Sequence, residues 1–160
     1  PGGDWTEEFT ACQIHYSKKT DPRKVSFFAF AHDCKLDAPL TSKEDLLAFV
    51  RKKKDEWGTD GRYTNISSSF IPEAANPSCV RYRMDVQDNG ASNMCINPFL
   101  LMKVIVRFCT HRHNPNSAVD LAYSIRHVPD YVDTTYRAEG VALLDSLRLE
   151  ARTGQHSEER

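Results

Sequence analysis

The chain lacks a long hydrophobic run. No window of its 160 residues approaches 18 uninterrupted apolar positions, so it encodes no transmembrane helix. It also lacks a charge of one sign: 21 Lys and Arg against 22 Asp and Glu leave a net charge of −1. Without a basic excess, no global field draws in nucleic acid or anionic lipid, and a nucleic-acid partner is not expected. The phosphate and dinucleotide cradles G-x-x-x-x-G-K-[ST] and G-x-G-x-x-G are absent, as are the G-x-S-x-G elbow and the zinc-binding H-E-x-x-H. None of the five cysteines forms a C-x-x-C, which removes zinc knuckles and thioredoxin-like redox pairs. Internal repeats, low-complexity tracts and interdomain linkers are missing too.

What is there is cysteine, at positions 12, 34, 79, 95 and 109. A chain of this size buries roughly 70% of its unfolded surface on folding, so it needs neither metal nor cofactor for stability, and no cofactor is expected. Cysteines scattered among strand-like segments suit an oxidising compartment, with up to two bridges and one sulfur left over. The alternative is a set of buried free thiols in a cytosolic protein, since unpaired cysteine packs as a small hydrophobe. The chain starts at Pro1, which predicts that a segment has been removed; a cleaved signal peptide leaves such a start, and so does a trimmed cytoplasmic protein. The expected address is extracytoplasmic, in the periplasm or at the outer membrane, with membrane contact only through a lipid anchor outside the given chain.

Patterning predicts an α+β domain: a single antiparallel β-sheet packed by an internal helix and a C-terminal helix. Residues 9–17 and 25–32 read as two strands joined by a turn at Thr20-Asp21-Pro22. A helix follows, with Thr41 and Glu44 at capping-box spacing, an apolar face from Leu46, Leu47, Phe49, Val50 and Trp57, and a stop at Gly58. Four segments then alternate with period 2, at 62–71, 78–87, 100–112 and 117–127, as strands with one wet face do. In the second of these, Val80, Tyr82, Met84 and Val86 oppose Cys79, Arg81, Arg83 and Asp85. Residues 134–150 close the chain as a helix, at a cost of about 1 kcal/mol for Gly140 relative to alanine. The expected organisation is a flexible N-terminal segment over 1–8, one domain over 9–150 and a flexible tail over 151–160.

The stretch "VRFCTHRHNPN" places Cys109, His111 and His113 at alternate positions. On a strand, alternate residues share a face about 7 Å apart, so His111 and His113 can reach one metal ion, although Cys109 is too far along the backbone to join without a bend. A catalytic Cys109 would need a base and an oxyanion site, and bulky Phe108 on a strand argues against an exposed nucleophile. A third reading accounts for more residues. Cys79 and Cys109 both fall on the polar face of amphipathic strands, and antiparallel pairing brings their sulfurs together near one end of a ladder. Cys95, in the loop between, is the alternative partner of Cys109 or the odd thiol, and Cys12 and Cys34 form the other pair. Tyr16, Tyr63, Tyr82, Tyr123, Tyr131 and Tyr136 can line a ligand groove, but aromatics in a sheet more often pack in the core.

The order hairpin, helix, antiparallel strands and closing helix ending "EGVALLDSLRLE" resembles the PsbP-like domains. The stretch "CTHRHNPNSAVDLAYSIR" is similar to exported bacterial lipoprotein domains of unassigned role. Both resemblances imply binding or assembly modules, and no catalytic residue is carried over. The expected function is thus a noncatalytic exported bacterial domain with an envelope protein partner. The competing expectation is a metal-binding or thiol-dependent protein using Cys109, His111 and His113.

Overall fold

The computed structural model describes residues 5–10, 13–21, 25–71, 73, 76–90, 98–111 and 114–146. Every long alternating segment becomes a strand, and all strands join one antiparallel sheet. In chain order they are β1 (Thr6–Thr10), β2 (Gln13–Asp21), β3 (Val25–Lys35), β4 (Tyr63–Ile71), β5 (Cys79–Asp88), β6 (Leu100–His111) and β7 (Asn114–His127). Helix α1 (Lys43–Asp55) lies between β3 and β4, and α2 (Tyr136–Ser146) follows β7. The sheet order is β1-β2-β3-β7-β6-β5-β4, so the fold is α+β and dominated by sheet.

The first expected strand is two strands. Thr10 pairs with Gln13 and Thr6 with Ser17, so the segment expected as one strand over 9–17 supplies residues to two antiparallel strands. β1 begins at Thr6, inside the span read from sequence as the N-terminal segment 1–8. The expected tail at 151–160 lies outside the described residues.

α1 starts one residue later than the spacing predicts. Ser42 is its N-cap: the hydroxyl accepts the Asp45 N–H at 3.0 Å and the Asp45 carboxylate accepts the Ser42 N–H at 3.1 Å, in place of the expected Thr41/Glu44 box. Its buried Leu46 and Val50 pack on the sheet face carrying Tyr82, Met84, Val104 and Val106. Trp57 sits in a 3-10 turn, Glu56–Gly58, and joins that core from its margin. In β4, Asn65 has φ 51° where the register with β5 shifts, a left-handed conformation that asparagine tolerates better than most side chains.

The opposite face is not the wet face that alternation predicts. α2 covers it, burying Leu144 and Tyr136 against Ile105, Tyr123 and Ile125. Gly140 permits the close approach, since a Cβ there would stand 2.9 Å from the Tyr123 ring and 3.2 Å from Ile105 Cδ1. Two of the arginines on this face, Arg81 and Arg107, are masked by paired groups. Glu73 lies 2.9 Å from Arg81 and 3.1 Å from Arg107, Arg81 also meets Asp145, and Arg107 donates to the Leu144 carbonyl at 2.9 Å. That last bond satisfies an orphan carbonyl at the C-terminal end of α2, where the helix dipole favours a cation.

Candidate functional site

β5 and β6 pair with Cys79 directly opposite Cys109, their Cα atoms 4.1 Å apart, and the two sulfurs form a disulfide. Both residues are 1% exposed. The bridge pins the end of the ladder where the β6–β7 hairpin turns. With its sulfur in that bridge, Cys109 offers no thiolate to a metal or a substrate. His111 is the last residue of β6, paired with Asn114 across the hairpin, while His113 lies outside the described residues. Among the described residues, no three of His, Cys, Asp and Glu are grouped so as to hold a metal ion. Cys34 carries a free thiol, and Cys12 and Cys95 lie outside the described residues.

Cys34 has a neighbour that the sequence reading did not assign. Its Sγ stands 3.5 Å from His32 Nδ1, because residues two apart on β3 share a face. Burial, together with the Asp120 and Asp33 carboxylates, pushes the thiol up to about 11. A thiol held protonated in this way is a poor nucleophile despite the adjacent imidazole.

A concavity lies on the α2 face. α2 is short and rests on β6 and β7, so the β2–β3 side of that face is left without a helix above it. There the sheet presents Phe27, Ala29 and Tyr16, and the small Ala29 side chain deepens the floor. Trp5 forms one wall, 6.4 Å from the Tyr123 ring, and Leu143 with Ala142 of α2 forms another. The resulting cavity has a volume of about 710 Å³. This falls within the range of small-molecule sites.

Besides three tyrosine hydroxyls, its lining carries Lys18, Asp133, Thr135 and Glu139. Tyr123 donates its hydroxyl to Glu139 Oε2 at 2.7 Å, and burial followed by this bond raises its pKa. Asp133 Oδ1 accepts the Thr135 N–H at 2.8 Å and so caps the entry to α2. Tyr16 donates to Glu7 Oε1 at 2.6 Å, and that hydrogen bond is the main cause of its raised pKa. The walls are fixed aromatic surfaces with their hydroxyls already engaged, an arrangement suited to holding an apolar body.

Of the tyrosines considered from sequence, Tyr16, Tyr123 and Tyr131 line this cavity, whereas Tyr82 and Tyr136 are buried in the two cores. Trp5 and Glu139 were not identified. The small Ala29 and Ala31 that follow Val25 and Phe27 on one face of β3 are the local signal of a hollow. Comparison with protein-family models, curated proteins and solved structures returned no match to this chain.

Proposed function

We propose that this domain is a noncatalytic, exported binding module that takes a small, largely apolar aromatic molecule between α2 and the β2–β3 side of its sheet. The observation carrying this reading is the 710 Å³ cavity walled by Trp5, Tyr16, Phe27, Tyr123 and Tyr131. The Cys79–Cys109 bridge supports an oxidising compartment. The resemblance of residues 109–126 to exported bacterial lipoprotein domains points the same way, toward the envelope. An envelope protein partner has a surface to meet: Phe9 and Ile14 stand opposite each other on β1 and β2, 66% and 37% exposed.

The test is titration with N-phenyl-1-naphthylamine, an uncharged aromatic fluorophore. Saturable one-to-one binding is expected, and Ala142→Trp, on the exposed side of α2, should fill the cavity and abolish it without lowering the melting temperature. Non-saturable binding, or binding indifferent to Ala142→Trp, refutes the reading. Fractionation of native cells tests the address, which fails if the protein is cytosolic with Cys79 and Cys109 reduced.

A further inference from the structure

The opposite sheet face carries a second, chemically different hollow. Its floor lies on β2, β3 and β7, where Ser17, Ser26 and Ser124 occupy positions that face α1's side of the sheet. Because serine side chains are short, a cavity of about 360 Å³ opens between Phe28 and Phe30 on one side and the Trp57–Tyr63 pair on the other. The Trp57 and Tyr63 ring centroids are 5.3 Å apart.

Arg126 is the charged residue lining this hollow, and the described lining contains no carboxylate. Its counter-ion is already shared. Asp88, fully buried, receives Arg62 through two bonds at 3.0 and 3.2 Å, receives Arg126 Nη2 at 2.9 Å, and also accepts the Gly90 N–H at 3.0 Å. Asp60 adds a second, weaker negative neighbour for Arg62, whose backbone N–H it accepts at 2.9 Å. Arg126 has only its half of Asp88 and a 3.7 Å contact to Met102 Sδ, and its Nε is buried with no hydrogen-bond partner. Two guanidinium groups share one buried carboxylate, Asp60 offsets only Arg62, and Arg126 therefore brings the less fully paired guanidinium to the aromatic cavity.

We propose that this cavity binds a small aromatic carboxylate, its ring laid against Phe28, Trp57 and Tyr63 and its carboxylate set against Arg126. A guanidinium matches a carboxylate in shape and charge, and a bound anion would complete the neutralisation that Asp88 alone leaves unfinished. The three serines give space for one ring on a short arm. This site is independent of the α2-face cavity, since it lies on the other side of the sheet and selects for charge.

The probes are 3-phenylpropionate, its uncharged amide and 3-phenylpropylamine. In a Trp5→Phe background, Trp57 is the remaining tryptophan, so its fluorescence reports this face alone. The acid should shift Trp57 emission saturably, the amide should bind roughly tenfold or more weakly, and the amine more weakly still. Arg126→Gln leaves Asp88 paired one-to-one with Arg62, and should weaken the acid by the same factor while leaving the amide unchanged. Ser26→Phe, which fills the floor opposite Arg126 without removing a charged group, should abolish both. Equal binding of acid and amide, full-strength acid binding by Arg126→Gln, or no response of Trp57 to the acid would each overturn the proposal.

Discussion

Reduction of the Cys79–Cys109 bridge gives a quantitative test of what holds the sheet. The bridge closes a loop with a sequence separation of 30 residues, and constraining a loop of that length removes unfolded-state entropy equivalent to about 3–4 kcal/mol. Reduction leaves both sulfurs in place and creates no cavity, so it isolates the cross-link. For a chain of this size that loss corresponds to a fall in melting temperature of about 6–16 °C. Both residues are 1% exposed, so reductant reaches them through the unfolded state, and urea transitions must be equilibrated from the denatured side. The denaturant slope should rise on reduction, because the unlinked chain exposes more surface. In a Cys79→Ala, Cys109→Ala variant, reductant should change nothing further. A loss below about 1 kcal/mol on reduction would refute the entropic account. It would show that strand pairing alone sets the ladder's stability.

Three further outcomes are expected. Asp88→Asn leaves Arg62 and Arg126 without their shared buried carboxylate and should cost about 3 kcal/mol in urea unfolding, with a cost near zero contradicting the network. Burial lifts the Asp120 carboxyl from 3.8 to about 6, with Lys53 opposing. A raised carboxyl favours the fold while protonated and loses that contribution as pH rises through the folded value. Asp120→Asn should therefore gain about 2–3 kcal/mol relative to wild type between pH 4 and pH 7.5, and a pH-independent difference would sink the assignment. Cys34, its thiol held at about 11 by burial and its acidic neighbours, should be alkylated by iodoacetamide roughly 100-fold more slowly than free cysteine at pH 8. Peptide mapping by mass spectrometry reads that rate, and a rate like that of free cysteine contradicts the buried environment.

The strands that sequence reveals best are those with one consistently apolar face. β5, β6 and β7 keep strict alternation over ten or more residues, and that alternation sets which residues share a face. The Cys79–Cys109 pairing was legible for the same reason, because antiparallel neighbours with matched faces leave little freedom of register. The β1–β2 reversal was not legible. No Gly, Pro, Asn or Asp stands at 11–12, and the only mark is a shift of apolar phase, from Phe9 and Ala11 to Cys12, Ile14 and Tyr16. Nor could alternation tell a wet face from one covered later in the chain: Arg81 and Arg107 look solvent-facing until Glu73 and α2 arrive. The α2-face cavity was hidden because it arises from an offset, a short helix seated over β6 and β7 and an alanine beneath the space beside it.

The strand order has a consequence for biosynthesis. β3 pairs with β7, the last of the described strands, from Val25–His127 through Lys35–Ser117. The β1–β2–β3 meander is therefore made before the other described strands, yet its inner edge must wait for residues 36–127 to leave the ribosome before it is fully paired. Throughout that interval a strand with Val25, Phe27 and Ala29 on one face and Phe28 and Phe30 on the other is an open template for mispairing. Nascent chains stalled before residue 114 should thus bind chaperones strongly, and release should follow synthesis of β7.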